Sequence, residues 1–506
     1  MTITYPLLLI ALPLAGAPLA YLAGRAARSM FLTRWTARLI LLSAWIPWLL
    51  VLQAVLSRSS EPTTWVLQGL TLRFDGLSLL ISGATLALAT FVAFYSGTYM
   101  RGEEGEEKYY ALLLGMTGSI IGLGAATDLL NLWLWFEAMT VCSLFLVAFY
   151  RKEQASLEAG VKYLVQTAVG SALILFGVAL MFGTTGTLSL SDLPRLLSHN
   201  PHVLPLMASG ALFVIGFGVK AALVPLHTWL PDAHAQAPSG ISAMLSGVVI
   251  ESGLVALLRV LFPLAFLSGI WGPVLLAIGA LNMLLGNLLA LRQTQVKRML
   301  AFSSLSHLGY MLLGIGAAMA FLEPASMAGA FFHLITHMLM KGLAFLCAGA
   351  LLYALYLSRG QHAHLTISDL NGAASRYPLV AGCFSLALLA LAGLPPLAGF
   401  MSKWQIFLGA AQTLNPWVIG LVVFAALNSV LSLAYYVPLV NAMYRLEPSD
   451  AIRDGKPLGF AISAPLAVMA ALVILLGFLP TLVAPLTNSA ADVFAALGIT
   501  SIGMIP

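Results

Sequence analysis

Residues 217–234 read FGVKAALVPLHTWLPDAH, from Phe217 to His234. The stretch lies in a long apolar run, yet it carries Lys220 and, five residues on, Pro225. A lysine inside a bilayer is expensive, and a proline inside a helix frees backbone groups that lipid cannot satisfy. The pattern predicts a membrane-crossing helix that breaks near Pro225, with Lys220 put there for use.

The whole chain fits that environment. Its 506 residues are 60% hydrophobic and 8% charged, with a mean hydropathy of +0.95. A soluble domain carries about 25% charged residues. The expected fold class is an all-α polytopic membrane protein. The formal charge of +5 comes without a basic block, so nucleic acid is not an expected partner. Cys142, Cys347 and Cys383 lie far apart and make no metal or cluster spacing. The first apolar segment has no basic residue before it and reads as a span, not a signal peptide.

Fourteen candidate transmembrane helices follow, each near the length that the hydrocarbon thickness sets. They cover 4–24, 38–57, 76–100, 109–126, 128–150, 156–183, 203–230, 239–263, 271–291, 299–320, 325–357, 378–410, 415–444 and 457–484. Residues 63–74, TTWVLQGLTLRF, alternate and read as a short surface hairpin strand. On this topology the basic residues divide unequally. Arg25, Arg28, Arg34, Arg38, Arg101, Lys108, Arg151, Lys152, Arg292, Lys297, Arg298, Arg359, Arg376, Arg445, Arg453 and Lys456 fall on one side; Arg58, Arg73, Arg195 and Arg259 fall on the other. The positive-inside rule then places both termini outside.

Two spans are interrupted, the seventh at Pro225 and the twelfth at Pro395 and Pro396 in GLPPLAGF. They are five helices apart, so they run in opposite directions. That is the mark of two inverted five-helix repeats, spans 4–8 and 9–13. The organisation expected is 1–108 (spans 1–3), 109–263 (first repeat), 271–444 (second repeat) and 457–506 (C-terminal span and tail).

Glu137, Lys220, Glu251, Lys341 and Lys403 fall well inside spans. At roughly 2.5 to 3.5 kcal/mol each, five unpaired charges would cost about 12 to 18 kcal/mol. They must be paired, hydrated or neutral. A Lys/Glu pair is a proton switch, because lysine holds its proton while the carboxylate is near and releases it when the carboxylate leaves. In FHLITHMLMK, His333, His337 and Lys341 stand at i, i+4 and i+8 on one helical face, which suits a proton path. His307 and His227 extend it, with Ser303, Ser304 and Ser306 to hold water. The plainer reading gives the histidines structural hydrogen bonds and Glu251 a helix-packing contact. Lys162 is expected to snorkel. Asp75 and Asp128 sit where they cap helices. Glu103, Glu104, Glu106 and Glu107 read as a solvated loop, and Arg292, Lys297 and Arg298 as topological anchors. The His-x-x-x-His pair lacks a third metal ligand. With no nucleotide motif, cluster ligands or haem site either, no metal and no cofactor is expected in this chain.

Taken together, FGVKAALVPLHTWLPDAHAQAPSGISAMLSG, LWFEAM, QVKRMLAFSSLSHLGYM, FFHLITHMLMKGLAFL and GLPPLAGFMSKW carry a family likeness. Over about residues 70 to 440 the chain resembles the antiporter-like membrane subunits of respiratory complex I. That superfamily includes the Mrp-type cation/proton antiporters and the membrane arms of energy-converting hydrogenases. The resemblance implies a proton path of two half-channels joined by a central polar axis, driven by redox subunits elsewhere. Glu137 matches the family's glutamate of the fifth helix, and Lys220 its lysine partner on the broken seventh. His333, His337 and Lys341 match the polar stripe of the eleventh helix. Lys403 matches the charged residue of the broken twelfth. Glu251 departs from the pattern, since many members have lysine there as the central relay. A glutamate suits pairing with Lys220 or Lys341.

The resemblance implies as partners other membrane subunits, including homologous antiporter-like ones, with protons, sodium or potassium, and lipid. The expected location is an energy-transducing membrane, the bacterial or archaeal plasma membrane. A sodium(or potassium)/proton antiporter subunit and a non-conducting scaffold are the alternatives to a redox-driven proton translocator.

Overall fold

The structure, a computed structural model, describes residues 5–57, 63–67, 70–197, 203–445 and 447–502. Arg58, and the end of the expected tail at 503–506, lie outside the described residues.

The chain begins with α1 (Tyr5–Arg25) and α2 (Met30–Ser57), then the strands β1 (Thr63–Leu67) and β2 (Leu70–Phe74). Next come α3 (Gly76–Tyr99), α4 (Glu106–Gly124), α5 (Leu129–Val147) and α6 (Gln154–Thr185). The seventh span is two pieces, α7 (Val203–Lys220) and α8 (Trp229–Gln236). α9 (Ser239–Leu261), α10 (Ser268–Leu291), α11 (Val296–Phe321) and α12 (Pro324–Leu355) follow. The twelfth span is again two pieces, α13 (Pro378–Ala392) and α14 (Ala398–Ala411). The chain closes with α15 (Pro416–Arg445), α16 (Phe460–Phe478) and α17 (Ala484–Ile502).

Among the described residues, twelve helices are long and apolar enough to cross a membrane. They coincide with twelve of the fourteen expected spans. The fourth, α4, opens on charged residues, and the twelfth is divided into two short helices. The expected hairpin is present, antiparallel from Thr63 opposite Phe74 to Leu67 opposite Leu70. Asp75 and Asp128 cap as expected. The Asp75 side chain accepts from Ser78 N while Ser78 Oγ accepts from Asp75 N, and Asp128 accepts from Asn131 N at 2.7 Å.

Three expectations need correction. First, α2 starts at Met30, which puts Arg34 and Arg38 inside the helix. Arg34 reaches Glu106 through Nε at 2.5 Å and Nη2 at 2.8 Å. Glu106 and Glu107 are thus buried in the first turn of α4, not in a solvated loop. Second, the expected C-terminal tail is a helix. α17 packs on α3 and α12, and a Cβ at Gly76 would stand 2.2 Å from the Ser489 carbonyl carbon, so glycine permits that approach. Third, α9 contains a π-helical turn, Leu245–Val249, immediately before Glu251. Such turns are uncommon and often sit at functional positions.

Burial sets the layers. α9 is wholly buried and α11 and α12 nearly so, while α1, α2 and α15 expose most of their surface. Apolar exposed side chains such as Trp417, Leu427 and Val430 suit contact with lipid or another apolar surface. The ionisable residues collect on the buried helices.

Candidate functional site

The first break spans the residues between Lys220 and Trp229, with a cis Val224–Pro225 bond and Ala222 at φ 52°. Its freed backbone groups are accounted for. Val219 O accepts from Trp229 Nε1 at 2.7 Å, and Val224 N donates to Asn282 Oδ1 of α10 at 2.8 Å. Pro225 itself is exposed and His227 half-buried. Lys220, the last residue of α7, is fully buried. Its ammonium donates to Thr140 at 3.1 Å, Ser143 at 3.3 Å and the Tyr163 hydroxyl, and lies 4.4 Å from the Tyr163 ring. Four side chains of three helices therefore meet there. Glu137, one turn before Thr140, makes no ion pair with Lys220 among the described residues, and its buried Oε1 has no hydrogen-bond partner. The lysine is held by hydroxyls, not by a salt bridge.

The centre lies between α9, α11 and α12. Glu251 Oε1 and His337 Nδ1 are 2.7 Å apart, with both side chains fully buried. This replaces the expected pairing of Glu251 with Lys220 or Lys341. Glu251 Oε2 and His337 Nε2 have no partner. The His337 ring stands 5.1 Å from that of His307. His307 Nδ1 is 3.0 Å from His333 Nε2, and His333 Nδ1 is 2.8 Å from Ser402 Oγ on α14. Lys341, one turn beyond His337, donates to Leu300 O at 2.7 Å and to the Ser303 hydroxyl. On the other side, Gly253 brings α9 against the first break, where a Cβ would stand 2.8 Å from Ala221 N. Gly253, two residues beyond Glu251, thus lies against the backbone that follows Lys220.

The second break has a cis Pro395–Pro396 bond and Gly393 at φ 87°. Both prolines are exposed. Lys403 is buried, and it reaches back across the break. Its ammonium donates to Leu391 O at 2.9 Å and to Ser429 Oγ at 2.9 Å, and lies 4.7 Å from the Tyr310 ring. Ser429 in turn donates to Ala392 O at 3.0 Å.

Five of the expected residues therefore gather in one region: Glu251 meets His337, whose ring lies beside that of His307, His307 meets His333, and His333 reaches Ser402, the residue before Lys403. Lys220, Lys341 and Glu137 flank it. Lys162 is half-exposed and bridges Glu158 at 2.7 Å and Asp232 at 3.0 Å, and Asp232 also binds Arg298 at 2.5 Å. Lys297, expected as a surface anchor, is buried and donates to Ala237 O at 2.5 Å. Arg259, expected on a surface, is buried in a bidentate pair with Asp75 at 2.6 and 2.7 Å. That pair and the Arg73 guanidinium hold Asp75 ionised against its burial, with its pKa lowered to about 2.

Sequence reading missed Tyr163, Asn282, Ser402 and Ser429. Each is an ordinary polar residue in an apolar helix, and only the fold aims it at a lysine, at His333 or at a broken backbone. It also missed His234, which is buried against Phe345 with neither ring nitrogen partnered.

Residues 126–429 match the model of a family described as the NADH:quinone oxidoreductase/Mrp antiporter membrane region. The chain is 36% identical over 431 residues to F(420)H(2) dehydrogenase subunit N of Methanosarcina mazei, covering 84% of this chain and 85% of that protein. It is also 36% identical over 427 residues to an NADH-quinone oxidoreductase subunit N of Roseiflexus castenholzii, covering 81% and 82%. Among solved structures it is similar to a chain of the membrane-bound sulfane sulfur reductase, an archaeal respiratory membrane complex, with a TM-score of 0.86 at 28% identity over 98% of this chain and 99% of that one. A chain of Thermus thermophilus respiratory complex I matches with a TM-score of 0.77 at 27% identity over 95% and 100%. A chain of a Dietzia Mrp complex shares the fold, with a TM-score of 0.84 at 23% identity over 98% and 100%. These relatives are subunits of multi-subunit membrane complexes, and the present chain, a multi-pass integral membrane protein, belongs to the NADH:quinone oxidoreductase/Mrp antiporter family of membrane subunits.

Proposed function

We propose that this chain is the non-redox, proton-translocating subunit of a complex I-like membrane complex, with redox chemistry in companion subunits. One observation carries the reading: a line of buried ionisable groups crosses the middle of the fold and ends at two broken helices. Buried ionisable groups are expensive, and a row of them has little value to a mere scaffold. In this account Lys220 is the switched proton carrier beside the first break. Glu137 biases it through space. Glu251 and His337 pass the proton between the halves, with Lys341 beside them, and His307, His333 and Ser402 lead it to Lys403 and the outer face. Both termini lie outside, fourteen segments cross the membrane, and spans 4–8 and 9–13 form the inverted repeats. Broken helices expose backbone groups that water can serve, which is how a hydrated route enters a bilayer. The membrane is an energy-transducing plasma membrane.

The experiment is to extract the native complex gently, capture it on this chain and identify its companions by mass spectrometry. Companions bearing iron–sulfur clusters and a quinone or hydrogenase module support the reading. Small membrane companions alone, together with sodium-dependent proton exchange in the absence of an electron donor, would replace it with an antiporter subunit.

A further inference from the structure

A cavity of about 410 Å³ lies on the face of the molecule that carries the hairpin, away from the buried line. Its walls come from five parts of the chain: the hairpin, the α4–α5 loop, the loop after α6, the end of α9 and the C-terminal helix α17. Backbone hydrogen bonds fasten these parts together. Arg73 N donates to Ala125 O at 2.9 Å, Leu190 N to Thr127 O at 2.9 Å and Leu129 N to Leu188 O at 2.9 Å. Phe262 stacks on Phe494 with ring centroids 3.5 Å apart, closing the apolar end. The cavity is therefore built by the fold and is not a gap between loose loops.

Its walls carry donors. Arg73 and Arg259 both line it, as do Thr127, whose hydroxyl donates to Thr71 O at 2.9 Å, and Ser189 and Ser191, whose hydroxyls lie 2.9 Å apart and have one proton to spare between them. The two guanidinium groups share one carboxylate, Asp75. Arg259 binds it at 2.6 and 2.7 Å, which leaves Arg73 Nε only a 3.5 Å approach. The Nε atoms of Arg73 and Arg259 are both buried and have no hydrogen-bond acceptor. A buried donor without an acceptor is unfavourable by about 1 to 3 kcal/mol, more when charged, so two side by side call for an acceptor. Burial lowers the Arg73 pKa, Asp75 opposes this and Arg259 adds to it, as expected of an under-compensated cation. The other charge on the wall, Asp128, is engaged at the N-terminus of α5 by Asn131 N at 2.7 Å, where the helix dipole offsets it.

We infer that this cavity is a binding site for a phosphate group, held by Arg73 and Arg259 and by the Ser189–Ser191 hydroxyl pair. Guanidinium groups suit phosphate because several N–H donors match its oxygens, and the tetrahedral anion takes bonds from several walls at once. Two sources supply that chemistry at a membrane face: the headgroup of a phospholipid and free inorganic phosphate. Apolar Phe262, Pro263, Val493 and Phe494 beside the arginines give an acyl-bearing ligand a place that free phosphate would leave unused.

The test uses the intact complex, purified in detergent and stripped of loosely bound lipid, with Arg73→Gln and Ser191→Ala as separate variants. Arg259 is left alone because it locks Asp75. Tightly held phosphorus per chain is measured, together with the unfolding temperature after addition of phosphatidylethanolamine, phosphatidylglycerol or inorganic phosphate. The expected result is about one phosphorus fewer per chain in Arg73→Gln and a smaller ligand-induced rise in unfolding temperature in both variants. A rise with phospholipid but not with inorganic phosphate identifies the headgroup as the source, and the reverse identifies free phosphate. Equal phosphorus retention and equal ligand response in wild type and variants overturn the proposal. If Arg73→Gln does not assemble, Ser191→Ala alone decides by the same readouts.

Discussion

The two broken helices solve one problem in different ways. In the first, the lysine is the last residue of the leading half-helix α7, and its ammonium turns aside to the hydroxyls of Thr140, Ser143 and Tyr163. In the second, the lysine lies beyond the break, in α14, and reaches back to Leu391 O at the end of the leading half-helix α13. Sequence positions 220 and 403 therefore look unmatched, since one precedes its proline and the other follows. In space they agree. Each positive charge belongs to the C-terminal end of the leading half-helix, where the helix dipole favours a cation. The difference lies in what holds the ammonium: side-chain hydroxyls of other helices alone in the first, and a backbone carbonyl oxygen of the break together with the Ser429 hydroxyl in the second. Hydroxyls can rotate and both donate and accept, whereas carbonyls only accept. The first break suits a lysine that can swing among several hydroxyls, and the second ties its lysine to the backbone of the break while the Ser429 hydroxyl offers a partner for its proton.

The largest expected effect breaks this comparison at its first member. Lys220→Met is expected to lower coupled proton movement at least tenfold with assembly intact, read by dye quenching in vesicles containing the reconstituted complex. Lys403→Met is expected to do the same but also to lower the unfolding temperature, because Lys403 serves the carbonyls of its break. Equal stability losses in the two variants would erase the distinction. Next, Asn282→Leu leaves Val224 N buried without an acceptor and is expected to cost about 1 to 3 kcal/mol, read as a lower midpoint of thermal unfolding. Ser429→Ala at the second break is expected to be milder, about 0.5 to 1.5 kcal/mol, since Lys403 still covers Leu391 O. A reversed order would mean that the second break carries the greater strain.

Asp75 provides a reference outside both breaks. Its folded-state pKa is depressed to about 2 by Arg259 and Arg73. A depressed carboxylate stabilises the fold above its unfolded pKa near 3.9, and that contribution is lost as pH falls toward 2, about 2.6 kcal/mol in all. Wild type should therefore lose stability between about pH 4 and pH 2, and Asp75→Asn should show a flatter profile across that window while keeping its proton-transfer residues intact. Thermal unfolding measured against pH checks this.

Most of the architecture was legible because a bilayer punishes charge and broken backbone so heavily. Lys220 and Lys403 stand out against apolar neighbours, Pro225 and the Pro395–Pro396 pair announce the breaks, and alternation in residues 63–74 marks the hairpin. What was not legible depends on which helices meet. Nothing local to Glu251 says that it faces His337 and not a lysine. Nothing local to Arg259 says that it folds back on Asp75, 184 residues away. Tyr163 and Ser402 are ordinary helix residues until the fold aims them at Lys220 and His333. Helix extent misled as well: Arg34 and Glu106 each resemble a surface charge, and only their pairing draws both into helices.

The central claim is that the two breaks are linked through Glu251 and His337. The direct measurement is the number of protons translocated per electron by the intact complex carrying Glu251→Gln, which keeps the shape and a hydrogen bond to His337 but cannot carry a proton. The account predicts a lower ratio than wild type, with electron transfer still measurable and the complex fully assembled. An unchanged ratio would contradict it, and Glu251 would then be a packing contact in a line that carries nothing.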